Sequence, residues 1–347
     1  MWSIFQHILF LVLLGYVVSA CNTKSSVQHP LNFYHWKTAL DIDTVQKEYL
    51  QDLESNRLYL RFFDVDWSTQ EKQAVPLAEV SNSALKKLSI QQIVPTVYIT
   101  NKSLINSSDS LVLVLADHLA NKIHHKLIES QQENKVDEIQ VDCDWTLKTK
   151  ERYFLLLKAL KKHDWVKNLK LSVTIRLHQV KYAKRTGIPP VDRGILMFYN
   201  MGKVNEIEET NSILNLDLAH NYMKNYDDYP LHLDIALPLF SWGVQFRSGR
   251  LIRLVNGLQA SDLEQSTACS LLKNNWYQID TSTYIKGRYF YAGDKIRIEK
   301  INAKDLSEAV KILRNNLNNP NFEIIFYHLD HSIIKAYPKD TLNYILQ

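Results

Sequence analysis

Eight short strand-like runs, separated mainly by helical stretches, predict a (β/α)8 TIM barrel over residues 31–347. The fifth run supports that class independently. Residues 169–177 (LKLSVTIRL) alternate strictly, with Leu171, Val173 and Ile175 on one face and Ser172, Thr174 and Arg176 on the other. A small polar face suits a barrel interior, and a branched face suits the surrounding helices. Most runs also finish in polar or aromatic residues, as expected where loops converge on one mouth.

The first strand is expected at 33–37 (FYHWK), followed by a helix near 45–53. The second, 57–66 (RLYLRFFDVD), is rich in aromatic and branched side chains. The third is 93–99 (IVPTVYI), with Pro95 expected near its start, where a missing N–H costs least. Helical periodicity follows over 112–128. The fourth strand is 138–144, and a helix over 148–162 carries Tyr153, Phe154, Leu157 and Leu160 on its apolar side. The sixth strand is 194–201 (GILMFYNM), the seventh 232–240 (HLDIALPLF) and the eighth 322–329 (FEIIFYHL). Between the last two lies an insertion at about 249–302, in which 288–298 (RYFYAGDKIRI) reads as a hairpin turning at Gly293-Asp294. A helix over 303–316 completes the final unit.

The N-terminal residues read as a targeting segment. An apolar run, 8–18 (ILFLVLLGYVV), is followed by Val18-Ser19-Ala20-Cys21. Small residues before a cysteine resemble a bacterial lipoprotein cleavage site, which implies lipid on Cys21 and a polar tether over 22–30. The segment ahead of the run holds His7 but no Lys or Arg, so a non-lipidated secretory signal or an uncleaved anchor is the alternative. The expected location is the bacterial cell envelope, lipid-anchored. A formal charge of +4 with no dominant basic block argues against nucleic acid. Beyond Cys21 only Cys143 and Cys269 remain, without CxxC or Cys/His zinc spacing. A single bridge between them is open, although Cys143 in a strand reads better as a small buried apolar group. His328, Asp330 and His331 leave a strand end in different directions, so no metal and no cofactor is expected.

The chemistry concentrates in 140–146 (QVDCDWT). Alternation puts Asp142 and Asp144 on one face, and Val141 and Cys143 on the other. Two like charges on one face need a polar cavity, a cation or a substrate. Other strand ends offer His35 and Trp36, then Asp64, Asp66 and Trp67, then Arg176 and His178, then Tyr199 and Asn200, then Ser241 and Trp242, and finally Tyr327, His328 and Asp330. Carboxylates among indole and phenol rings suit a sugar: acids bond hydroxyls and rings stack on C–H faces. Hydrolysis needs two carboxyls about 5 to 9 Å apart. Asp144 as nucleophile or base, paired with either Asp64 or Asp66 and with Asp66 as acid, is the candidate arrangement, and Asp330 is a further candidate. Asp142, Trp145, Trp67, Tyr199, Asn200, Trp242, Tyr327, Asp330 and Arg176 are candidate substrate contacts. Each indole could equally be packing beneath loops. Parity along 57–66 leaves open whether Arg61 or the pair Asp64 and Asp66 faces inward; an inward Arg61 could simply pair with Asp142.

Asp142-Cys143-Asp144-Trp145 resembles the fourth-strand end of the chitinase-like glycoside hydrolases, which reads DxxDxDxE. Met197-Phe198-Tyr199-Asn200 is similar to that family's sixth-strand MxYD. Residues 236–240 (ALPLF) are similar to its seventh-strand GLPFYG segment, and Tyr327 stands where its eighth strand carries Trp. The whole chain resembles a family of bacterial lipoproteins in the same glycosidase-barrel superfamily. The motif's first Asp is Ile139 here, its general-acid Glu is Thr146 and its sixth-strand Asp is Asn200. The resemblance implies a carbohydrate ligand, with Asp142 and Asp144 as core and substrate-facing carboxylates. It does not carry over the substrate-assisted mechanism, because a threonine hydroxyl cannot act as an acid near neutrality. Three functions follow: a hydrolase using another carboxyl pair, a silent glycan-binding barrel, or a scaffold docking a partner protein through the insertion. The last predicts an exposed apolar patch on the insertion and a plugged mouth.

Overall fold

The computed structural model describes residues 31–346 save 224, 225, 227 and 318–320. The expected signal segment, Cys21 and the tether lie outside the described residues. Eight parallel strands form the barrel: β1 Asn32–His35, β2 Arg57–Ser68, β3 Gln92–Ile99, β4 Glu138–Asp142, β5 Lys170–Arg176, β6 Arg193–Met197, β7 Leu233–Pro238 and β8 Ile324–Tyr327. It closes because β1 pairs in parallel with β8 on one side and β2 on the other. This is the (β/α)8 architecture expected from the sequence.

The alternation of β5 works as anticipated. Leu171, Val173 and Ile175 are fully buried. The opposite face meets the barrel axis: Gln140 donates to the Ser172 hydroxyl (3.3 Å) and accepts from Tyr34 Oη (2.8 Å) and Thr96 Oγ1 (3.4 Å). That polar layer divides the interior. Below it, at the strand starts, Arg193 bonds Glu138, Asp234 and Tyr59. Above it the strands open into the mouth. Outside, the helix Asp109–Ser130 buries Val112, Leu115, Leu119, Ile123 and Leu127 along one stripe. Ser108 caps its N-terminus, and Gln131 ends it in the left-handed region at φ 59°.

Three local features differ from expectation. Pro95 sits mid-strand opposite Leu60, and the β2 register shifts just beyond, between Arg61 and Phe63. A residue with no ladder donor is tolerated where pairing is interrupted. The insertion is a five-stranded antiparallel sheet plus a hairpin, and it begins at Trp242 rather than 249. Trp242–Arg247 pairs with Lys295–Glu299, so Trp242 belongs to the insertion and not to the end of β7. The run 288–298 does not fold back on itself: Arg288–Phe290 pairs with Thr283–Ile285, while Lys295–Glu299 joins the larger sheet. Gly293 does turn there, at φ 87°. Cys143 and Cys269 are both free thiols, Cys143 buried.

Candidate functional site

The strands end beneath a cavity of about 1160 Å³, walled on one side by the insertion. Its floor is built from parity. Asp142 is the last residue of β4, and Asp144 follows it on the same face. Asp142 accepts from the Thr174 hydroxyl of β5. Burial pushes its carboxyl up to about 6; nearby Arg176 opposes that rise and Asp144 adds to it. Arg176, closing β5, grips both oxygens of Asp144, through Nε and through Nη2 at 3.2 Å. Arg61 of β2 faces the same cavity but is bound to Asp64, with Nε at 2.7 Å from Oδ1. The bulge at Phe62 puts residues 61 and 64 on one side, which alternation alone could not foresee.

A chain of rings forms the walls. Tyr34 meets Trp36 at 6.0 Å, Trp36 meets Tyr327 at 5.9 Å, and Tyr327 meets Tyr199 at 5.5 Å. Phe240 continues the chain against Tyr199 at 5.8 Å and against Trp242 at 5.3 Å. The Trp242 indole N–H donates to Glu299 at 2.9 Å. Glu299 also accepts from the Ser212 amide (2.8 Å) and from Arg297 (2.7 Å), which locks the wall to the loop after β6. Lys37 pairs with Asp330 at the rim. Burial works against that Asp330 charge, but Lys37 and the Ser332 amide bring the carboxyl down to about 2. Burial lowers both His35 and His328, His35 to about 4 with His328's proximity adding to the fall.

The chain matches no protein-family model and no curated protein. Solved structures do match. The Bacillus cereus spore cortex-lytic enzyme SleL superposes at TM-score 0.56 with 13% identity, covering 92% of this chain and 74% of that one. A chitinase from Chromobacterium violaceum gives 0.55 and 12%, covering 92% and 99%. A Group IV chitinase from Ostrinia furnacalis gives 0.52 and 14%, again covering 92% and 99%. The chain shares the (β/α)8 barrel fold of these enzymes. At this identity the likeness speaks for the fold alone.

Against that fold the expected residues separate into two groups. Asp142, Asp144, Arg176, Tyr199, Asn200, Trp242, Tyr327 and Asp330 all line the cavity. Trp145 does not. It is 2% exposed, stacks on Tyr153 at 5.3 Å and donates to the Thr186 carbonyl at 3.1 Å. Its parity matches Cys143, on the helix side of β4. Trp67 lies at the far end of β2, in a hairpin with Gln73–Leu77, and is not among the lining residues. Asp66 is also outside the cavity: it accepts from Thr100 Oγ1 (2.7 Å) and the Trp67 amide (2.8 Å). The Thr100 hydroxyl and that amide hold its carboxyl below the usual range despite some burial, the opposite of what an acid role needs. Asp64 is absent from the lining residues and spent on Arg61. Thr146 is exposed, with its hydroxyl 3.4 Å from that of Thr149 in the turn that starts the helix Lys150–Lys162. Arg61 does not pair with Asp142. Tyr34, Tyr98, Phe240 and Lys300 line the mouth without having been expected there; for Tyr34 and Tyr98 only knowledge of which parity faces inward would have found them.

Proposed function

We propose that this chain is an envelope-tethered barrel whose mouth binds a saccharide and does not perform chitinase-type hydrolysis. One observation carries the reading: the aromatic-walled cavity keeps its two floor carboxylates, while Thr146, where the resemblance would put the proton donor, is exposed in the turn ahead of the helix Lys150–Lys162. Asp144 is gripped by Arg176, Asp330 at the rim is held ionised by Lys37, Glu264 in the lining accepts from the Tyr277 hydroxyl at 2.7 Å, and Asp64 and Asp66 are bonded outside the lining residues. Rings, carboxylates and tyrosine hydroxyls together supply what a pyranose needs for binding. The insertion does carry exposed aromatic residues, but the open cavity speaks against a plugged scaffold.

One observation favours a hydrolytic second reading. Asp142, pushed up to about 6, is a carboxyl able to hold a proton beside Asp144. Its place on the buried floor, bonded to Thr174, is poor for reaching a leaving oxygen. A glycan array probed with the full chain in detergent tests the proposal. Selective binding that falls about fivefold in Trp36→Ala is expected, one stacked ring being worth ~1 kcal/mol. Binding of no glycan would overturn it. The tether is tested separately: Cys21→Ser should move the protein out of the membrane fraction.

A further inference from the structure

The insertion carries three tyrosines whose rings stand in solvent. Thr283–Ile285 and Arg288–Phe290 form a hairpin in which Tyr284 lies opposite Tyr289. Ile285 and Phe290 are buried in the insertion's own small core. Tyr284, Tyr289 and Tyr291 are instead 72%, 38% and 51% exposed. Their rings form a ladder, 4.9 Å from Tyr284 to Tyr289 and 4.9 Å from Tyr289 to Tyr291.

The ladder is braced from beneath. The Arg247 guanidinium lies 4.2 Å from the Tyr291 ring centroid. Arg247 is held by two bonds to Asp294, at 2.6 and 3.0 Å, whose side chain is wholly buried. Asp294 also accepts from Gln245 (2.7 Å) and the Tyr291 amide (2.9 Å). Arg253 donates to the Tyr289 carbonyl at 2.6 Å. A buried carboxylate that fixes the cation beneath an exposed ring buries no extra apolar surface; it holds a surface in shape. The hairpin that carries the ladder reaches the mouth at its turn. Lys286, at the turn between the two hairpin strands, lines the cavity, donates to the Gly257 carbonyl (3.0 Å) and pairs with Asp262 (3.0 Å).

We propose that Tyr284, Tyr289 and Tyr291 form an outer subsite for a linear saccharide chain that leaves the mouth past Lys286. This rests on the saccharide reading of the mouth. A phenol ring offers a face to sugar C–H groups and a hydroxyl to sugar oxygens, and the flanking Arg247, Arg253 and Arg288 keep the surface polar. The prediction is length dependence. Affinities of the full chain are measured for disaccharide and hexasaccharide members of three series: β-1,4-linked N-acetylglucosamine, alternating N-acetylglucosamine and N-acetylmuramic acid, and β-1,4-linked glucose. The triple variant Tyr284→Ala, Tyr289→Ala, Tyr291→Ala should bind a hexasaccharide about tenfold more weakly and the disaccharide unchanged. Unchanged hexasaccharide affinity would overturn the ladder, and so would an equal loss at both lengths. Failure of the unaltered chain to bind any series overturns the mouth reading, and the ladder with it. The exposed rings leave the variant's thermal unfolding close to that of the parent.

Discussion

The two ends of the barrel use the same residue types to opposite effect. At the strand starts, Arg193 and Arg57 share Glu138, and Arg193 also bonds Asp234 at 2.6 Å. The Glu138 and Asp234 side chains are 0% and 1% exposed there. At the strand ends, Arg176 meets an Asp144 that is 44% exposed, beneath a cavity. Below, the charges are completed within the protein, by one another, the Tyr59 hydroxyl and the Glu323 amide that donates to Asp234 at 2.8 Å; above, they face space in which a ligand can complete them. An ion pair buried on all sides reports on folding, and one under a cavity reports on recognition.

The largest way to break that contrast is Arg193→Ala. It strips buried Asp234 of its guanidinium and leaves Glu138 with Arg57 alone, and should cost about 3–5 kcal/mol in urea unfolding. Arg176→Ala should cost under about 1 kcal/mol yet change glycan affinity. If the two costs came out equal, the distinction would fail. The indoles divide in the same manner: Trp145→Ala should cost ~3–5 kcal/mol through its cavity, whereas Trp36→Ala should act mainly on binding.

A smaller effect is pH-dependent. Asp142 rises from 3.8 to about 6 on folding, so its contribution to stability is present below about 4 and lost as pH rises through about 6. Asp142→Asn should therefore be more stable than the parent at pH 8 and lose that advantage toward pH 4, by at most about 3 kcal/mol. A pH-independent difference between the two unfolding curves would contradict the assignment. The smallest effect is Asp66→Asn, expected to cost about 1 kcal/mol and leave glycan binding untouched.

Much of this was legible from periodicity. The strict alternation of β5 and the shared parity of Asp142 and Asp144 placed the floor, and Thr146 stands where the resemblance would put the acid. Trp145 was legible too, since parity sends it with Cys143; its residue type argued for the mouth and its parity decided. Arg61 and Asp64 were not legible, because one extra residue at Phe62 resets the alternation. Nor was the start of the insertion: Trp242 follows β7 closely, and only long-range antiparallel pairing with Lys295–Glu299 shows where it belongs. The tyrosine ladder was hidden by a turn signal at Gly293-Asp294 that joins two different sheets.

The central claim is that the mouth holds a sugar and leaves it whole. Mass spectrometry of a bound oligosaccharide after prolonged incubation with the full chain, beside Asp144→Asn, tests it most directly. The account predicts intact oligosaccharide from both proteins. Shortened products from the parent that disappear in Asp144→Asn would contradict it.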